Sequence, residues 1–448
     1  MLQNNKESVL AQHITGKTAV EIAASVEAAL RGGALGSGAK LPTVRELATR
    51  LRVSPTTVAS AYRTLRLRGL VVAQGRRGSA ISHHPPIAQA RAAVRLPAHA
   101  VDLASGNPDP ALLPDLGPAL RGIDAGSMLY GGDLCDPGLM RIARRALVAD
   151  GIPADSLTVV SGALDGIERA LAAWLRPGDR VGVEDPGFPA VFHLVSALGL
   201  VPVPIEIDDA GPKPDATAIA LRSGLAALVV TTRAQNPFGS ALDERRAREL
   251  RGLLRAHPGT LVLEDDHGGS VAGATARTLC SSGVERFAIV RSVSKALGPD
   301  LRVAFLACDE ATLARVEGRL ALGMRWVSHL LQRTVAALLG DKGVLRGLRE
   351  ADRTYTERRR ALLEALAARG TPAFGRSGMN VWVPVPDEDS AASALLAAGF
   401  AVSTGARFRI HSAPALRITT ASLHRDDAVA VADALSLALR PARRTLSA

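Results

Sequence analysis

Six short apolar runs recur between residues 157 and 307: LTVV (157–160), RVGV (180–183), LAALVV (225–230), TLVL (260–263), FAIV (287–290) and RVAFLA (302–307), with helical stretches between them. Nothing else in the chain restricts its fold as tightly. A strand with one wet face alternates apolar and polar residues. These runs are almost wholly apolar, which calls for cover on both faces. Such strands, alternating with helices, form a mostly parallel sheet between helical layers. Ligands then bind beyond the carboxyl ends of the strands, so the residues after each run are where chemistry is expected.

After the first run comes SGALDGIERA, in which Ser161, Gly162 and Ala163 open a helix whose free backbone N–H groups can hold a phosphate. EDPGFP offers Phe188 to stack on a flat ring, and TTRAQNPFG offers Asn236. EDDHGG supplies Asp265, Asp266 and His267; RSVSK supplies Ser292, Ser294 and Lys295, with Arg302 seven residues beyond the lysine. Singly, each has a plain structural explanation: a strand-end Ser-Gly is usually a turn, an Asp a cap, a lone Lys solvated. Together they meet the needs of pyridoxal 5'-phosphate (PLP): an amine for an imine, a carboxylate for the ring nitrogen, a donor for the phenolic oxygen, an aromatic cover and a phosphate cup.

The first 82 residues read differently. They hold 12 Lys and Arg against four Glu and no Asp, so most of the chain's net charge of +11 lies there. A basic segment concentrated at one end points to a polyanionic partner, although a solvated basic face would look the same by composition. TAVEIAASVEAALR (18–31) places Val20, Ala23, Val26 and Leu30 at helical spacing, and GGALGSGAK breaks that helix. In LPTVRELATRL, Thr43 and Glu46 have capping-box spacing, with Leu47 and Leu51 on one face. In RVSPTTVASAYRTLRLRG, Ser54 caps a helix with Pro55 at its first position; Val58, Tyr62 (or Ala61) and Leu65 form its buried stripe. Thr56, Thr57, Ser60 and Arg63 lie towards the other side, where short polar residues suit phosphate and base-edge contacts. LVVAQGRRGSAIS then gives two short strands with Arg76 and Arg77 at their tip, placed to enter a minor groove.

With LPTVRELA, VSPTTVASAYRTL and the closing GL…GRRGSAI in view, residues 18–82 resemble the winged-helix domain of GntR-type regulators. Residues 101 to about 440 resemble fold-type I aminotransferases in the order of their motifs, and the whole chain resembles a MocR-type regulator. The resemblance implies an α+β winged helix-turn-helix followed by an α/β fold-type I PLP-dependent aminotransferase-like domain, with a mostly parallel sheet and a smaller C-terminal α/β subdomain. The expected division is 1–82 for DNA binding, a linker over 83–100, and 101–448 for PLP and effector binding.

By the same resemblance, Lys295 forms the Schiff base with PLP, Asp265 pairs with the ring nitrogen, Asn236 donates to the phenolic oxygen and Phe188 stacks on the ring, where the family often has Tyr. Ser161, Gly162, Ala163, Ser292, Ser294 and Arg302 hold the phosphate, and Arg417 in ALRITT binds an effector carboxylate. Arg45, Thr56, Thr57, Arg76 and Arg77 contact double-stranded DNA; Pro55 departs from the family, which usually has a basic residue after the serine. Tyr130, in LYGGDLCDPGLMRIARRAL, matches the region where the family carries the pattern Y…G…LR…A. His267 departs too: the family usually has Tyr there, as a second donor to the phenolic oxygen. GKTAVEIAASV is closer to members tied to vitamin B6 than to those tied to GABA use.

The implied function is a PLP-binding transcriptional regulator that senses PLP or a PLP–amine adduct and acts as a homodimer on vitamin B6 or amino-compound genes. It is not expected to act primarily as an enzyme, though residual transaminase activity stays open. The rival is an active aminotransferase with an appended DNA-binding domain. A cytoplasmic protein is expected: no apolar run reaches the ~18 residues that span a bilayer, and the start lacks a signal-peptide plan. Cys135, Cys280 and Cys308 have no metal-type spacing, and no metal site is expected; His83 and His84 lack further ligands. Operator, target gene, effector and sign of regulation are not legible.

Overall fold

The computed structural model describes residues 13–36, 38–67, 69–73, 78–82, 97, 100–124, 126, 128–280 and 283–439. It divides into two compact units, one holding the basic head together with segments 175–181 and 189–203, the other holding the rest. Almost all of the expected linker, including His83 and His84, lies outside the described residues.

The head is three helices, α1 (Ala19–Arg31), α2 (Val44–Leu51) and α3 (Pro55–Leu67), then an antiparallel pair, β1 (Val71–Ala73) and β2 (Ser79–Ile81). Thr18 and Thr43 each close a capping box, with Glu21 and Glu46 returning the bond to the cap backbone. The Ser54 hydroxyl accepts from the Thr57 N–H at 3.1 Å. The core joins Ile22, Ala23, Val26, Leu30, Leu47, Val58 and Leu65. The open choice between Ala61 and Tyr62 resolves as both: each is buried, and the Tyr62 hydroxyl donates to the Pro42 carbonyl at 2.8 Å. Val20 does not join the stripe and is 77% exposed. At 100° per residue it lies about 200° from Ile22, on the far side of α1.

The second fold element is an eight-stranded sheet. Its strands are β4 (Ser156–Val160), β5 (Arg180–Asp185), β6 (Val201–Asp208), β7 (Gly211–Pro212), β8 (Ala227–Thr231), β9 (Leu261–Asp266), β10 (Phe287–Ser292) and β11 (Ala304–Cys308), in the order β4-β11-β10-β9-β8-β5-β6-β7. A short pair, β3 (Val101–Asp102) with β13 (Phe400–Ala401), stands outside it. Every residue of β8, β9 and β11 is buried, which is what apolar runs without alternation require. β8, β9 and β10 run parallel in a register that aligns Thr231 with Asp265 and Asp266 with Arg291. β11 is reversed and pairs antiparallel with both β10 and β4. Its start therefore lies at the sheet edge where its neighbours end: Ala304 stands opposite both Ser292 and Val160.

Helices precede and alternate with these strands. They include α4 (Gly117–Gly122), α5 (Pro137–Ala149), α6 (Ala163–Trp174), α7 (Pro189–Ala197), α8 (Pro214–Arg222), α9 (Glu244–Arg255), the one-turn α10 (Ser294–Leu297) and α11 (Glu310–Ala321). α6 approaches β10 closely because Gly166 has no side chain: a Cβ there would sit 3.0 Å from Val290 Cγ1. Beyond α12 (His329–Gly340) and the long α13 (Lys342–Ala367), the C-terminal part builds a three-stranded antiparallel sheet, β12 (Asn380–Pro384), β15 (Ala415–Thr419) and β14 (Ser403–Thr404). α13, α14 (Glu388–Ala397) and α15 (Arg425–Ala438) cover it around Leu362, Val381, Leu395, Leu416 and Val431.

Candidate functional site

Strand periodicity sorts the two adjacent aspartates of β9. Successive side chains leave a strand on opposite faces, so Asp265 and Asp266 cannot share a role. Asp266 is sealed between two guanidinium groups: its Oδ1 accepts from Arg233 Nε at 2.8 Å and its Oδ2 from Arg291 Nε at 2.6 Å. The two arginines hold its carboxyl well below the usual carboxylate range against the penalty of burial. Asp150 joins the cluster, 2.7 Å from Arg291 Nη2. This is a structural clamp. Asp265 is just as inaccessible at 4% exposure, yet its Oδ1 has no hydrogen-bond partner among the described residues. Its other oxygen lies 3.3 Å from His267 Nδ1. A buried carboxylate oxygen left unpaired costs free energy unless a ligand completes it.

Lys295 lies on α10 within the influence of Asp265 and Arg417, and its Nζ donates to the Gly106 carbonyl at 2.7 Å. Its pKa is pushed down to about 8, first by burial and then by the Arg417 charge, with Asp265 opposing. A desolvated lysine of this kind has a larger neutral, nucleophilic fraction near neutrality.

Arg417 is centred on β15, between Trp382 and Ser403. It is 4% exposed, lies over the Phe408 ring at 4.8 Å, donates to Asn236 Oδ1 at 3.3 Å and to the Ala104 carbonyl, and leaves Nε unpaired. Burial, then the Arg407 charge, pushes its pKa down to about 10. Because Arg417 engages the Asn236 carbonyl oxygen, the amide N–H groups are that side chain's remaining hydrogen-bonding groups.

At the reversed strand's start, Arg302 adopts a left-handed backbone with φ of 47° and donates from Nη2 to the Ser161 carbonyl at 3.0 Å. Gly162 makes room: its φ is 91°, and a Cβ there would fall 2.6 Å from Arg302 Nη2. Ala163 begins α6, whose first N–H groups have no partner inside the helix. The Ser161 N–H is committed, donating to Asp165 Oδ2 at 2.8 Å, so Ser161 has only its hydroxyl to offer. Ser292 and Ser294 share a hydroxyl–hydroxyl bond of 3.0 Å at the end of β10. Phe188 is half-buried after β5.

Sequence reasoning missed three contributors. Gly106 holds Lys295 through its carbonyl, and a Cβ on it would come within 3.2 Å of Arg417 Nη1. The polar turn ASGNP after β3 was the available signal. Phe408 under Arg417 comes from a short helical turn with no motif. Glu184, buried and pushed up to about 7 by desolvation, accepts from Gln235 Nε2 at 3.1 Å and so braces the turn that carries Asn236. His267 Nδ1 lies against the carboxylate of Asp265.

In the head, Arg45, Thr56, Ser60 and Arg63 are exposed on α2 and α3. The Thr57 hydroxyl is half-engaged with Ser54 Oγ at 2.8 Å. Lys17 and Arg50 instead tie down the carbonyls of Leu51 and Ile14, so part of the basic charge serves the fold. Arg76 and Arg77 lie outside the described residues. No described helix is long and apolar enough to cross a membrane.

Fold and site define a class: a winged helix-turn-helix head on a fold-type I aminotransferase body. The family model for bacterial regulatory proteins of the gntR family matches residues 18–81, and that for aminotransferase class I and II matches 139–435. The chain is 39% identical over 416 residues to the vitamin B6 salvage pathway transcriptional repressor PtsJ of Salmonella typhimurium, covering 92% of this chain and 96% of that one. It is 26% identical to the pyridoxine biosynthesis transcriptional regulator PdxR of Corynebacterium glutamicum, over 75% of each. The kynurenine aminotransferase of Pyrococcus horikoshii shares the fold of the body, with a TM-score of 0.67 at 20% identity over 76% of this chain and 91% of that one. The chain belongs to the MocR-type transcriptional regulators, which join a GntR head to an aminotransferase body.

Proposed function

We propose that this regulator binds PLP at the sheet edge and that PLP occupancy, alone or as an adduct with an amino compound, changes how the head engages DNA. The observation that carries the reading is the unpaired Asp265 Oδ1, buried in the same site as the desolvated amine of Lys295. PLP would supply an electrophilic carbonyl and a ring nitrogen that needs an anionic partner. In this reading Lys295 forms the covalent link, Asp265 faces the ring nitrogen, Asn236 donates to the phenolic oxygen and Phe188 covers the ring. The cup of Gly162, Ala163, Ser161, Ser292, Ser294 and Arg302 takes the phosphate, and Arg417 takes the carboxylate of an amino-compound effector. Arg45, Thr56, Thr57, Arg76 and Arg77 touch DNA.

The names of PtsJ and PdxR support vitamin B6 genes as targets. The exposed Leu129, Tyr130, Leu322 and Met324 near Trp326 support a second copy covering that face, hence a homodimer with two heads. Residues 1–82, 83–100 and 101–448 then serve as reader, linker and sensor. The test is an absorption spectrum of the purified chain with PLP, followed by borohydride reduction. A PLP band and a covalent adduct, both absent from Lys295→Ala, are expected. Covalent trapping that survives the substitution refutes the lysine assignment. Sustained turnover of amino and keto acid pairs without any effect on DNA would favour the aminotransferase reading.

A further inference from the structure

His267 stands where relatives of this architecture are expected to carry a tyrosine, and its observed contact is with the carboxylate of Asp265. β9 ends at Asp266, and alternation returns the residue after it to the side of Asp265. There His267 Nδ1 lies 3.3 Å from Asp265 Oδ2, while Oδ1 of the same carboxylate is buried and unpaired. His267 remains partly accessible, with its side chain 21% exposed against 5% for Asp265. Asn236, the donor to the phenolic oxygen in the PLP reading, has its carbonyl oxygen held by Arg417.

We propose that His267 is a positioning residue for Asp265: by tying Oδ2 through Nδ1, it fixes the rotation of the carboxylate so that Oδ1 is presented to a ring nitrogen. The inference rests on the PLP reading and deepens it. A carboxylate held at one oxygen has already lost its rotational freedom, so less ordering is left for ligand binding to impose. The other charged groups that bear on Asp265 are Lys295, which attracts it, and Glu184, which repels it; neither bonds to Oδ2 among the described residues. His267 is thus the group that sets the orientation.

The two side-chain amides separate this role from action at the phenolic oxygen. An asparagine amide places its N–H at the position of imidazole Nδ1, and a glutamine amide places it at that of Nε2. PLP dissociation constants are measured by absorption titration of the full chain for wild type, His267→Asn, His267→Gln, His267→Phe, Asp265→Asn and the Asp265→Asn/His267→Phe pair. Loss of one hydrogen bond to a carboxylate that keeps its ligand contact is expected to weaken PLP binding about three- to tenfold in His267→Phe. His267→Asn should restore affinity to within about twofold, His267→Gln should not, and the Phe change should add nothing in the Asp265→Asn background. Rescue by Gln instead of Asn, an unchanged constant in His267→Phe, or an equal loss with and without the Asp265 carboxylate would overturn the proposal. If His267→Phe does not fold, judged by the melting curve of the PLP-free chain, the Asn and Gln pair decides. A wild-type chain that binds no PLP overturns both this inference and the reading beneath it; wild-type binding with the wrong variant pattern overturns this one alone.

Discussion

Two adjacent acids in β9 should respond to the same substitution with opposite outcomes. Asp266 accepts three bonds from two arginines, at 2.8, 3.0 and 2.6 Å, and is fully buried. Asp266→Asn removes the charge between two buried guanidiniums, and breaking a buried ion pair from one side costs about 3–5 kcal/mol. Asp265→Asn removes a buried charge that lacks a partner at Oδ1, so the PLP-free body should change by less than about 1 kcal/mol and could gain stability. Its cost appears on binding, where a charge-assisted bond to the ring nitrogen is lost: about 1.5–3 kcal/mol, or roughly 10- to 150-fold in PLP affinity. Urea unfolding at pH 7 without PLP, followed by a PLP titration of each variant, reads both numbers. The reasoning fails if Asp265→Asn destabilises the PLP-free chain as much as Asp266→Asn, or if Asp266→Asn leaves stability untouched. The pH dependence has a definite sign. The Asp266 pKa is depressed by folding, so its stabilisation is complete above the unfolded carboxylate value near ~4 and is lost as pH falls below it.

The other expected outcomes concern the amine, the cup and the head. The rate of covalent PLP attachment should rise with pH through about 8, where Lys295 loses its proton, and Arg417→Ala should move that rise to higher pH by removing the neighbouring charge; stopped-flow absorbance across pH checks both. Gly162→Ala should weaken PLP and inorganic phosphate binding together, since a Cβ 2.6 Å from Arg302 Nη2 must displace the guanidinium from the Ser161 carbonyl; calorimetry with phosphate alone reads it without the ring. In DNA titrations against salt, Arg45→Ala should reduce the slope by about one counterion if it meets a phosphate, and so should Arg76→Ala or Arg77→Ala. An unchanged slope and affinity in one of these variants would take that residue out of the interface.

How much of this could be read from residues alone follows from the range of each signal. Capping boxes at Thr18 and Thr43 and the stripe of α3 depend on neighbours within one or two turns, and the periodicity carries them. The sheet's burial was legible because apolar runs admit one environment, and the alternation of β9 separates Asp265 from Asp266 once a strand is assigned. Partners from distant segments were not legible. Nothing in EDDHGG announces that Arg233 and Arg291, themselves paired with Asp150, will close on the second aspartate, nor that Gly106 will meet Lys295 from 189 residues away. The reversal of β11 was likewise hidden. An apolar run does not state its direction, and that reversal explains why Arg302 precedes its strand while Ser161, Phe188, Asn236 and Lys295 follow theirs. Val20 failed for a simpler reason: a stripe fitted to three of its four members tolerates one residue on the wrong face.

The central claim is that one site and one DNA-binding head share a free energy. The direct measurement takes a duplex selected by the full chain from a random-sequence pool and determines its affinity and footprint with the PLP-free chain, the PLP-loaded chain, and PLP plus candidate amino compounds. Coupling requires PLP to change the affinity, typically by about 5- to 150-fold, or to change the footprint at equal affinity, with DNA shifting PLP affinity by the same factor as PLP shifts DNA affinity. The account predicts such a shift, abolished when Lys295→Ala is used. Identical affinity and footprint in every state, alongside sustained transamination by the same preparation, would contradict it.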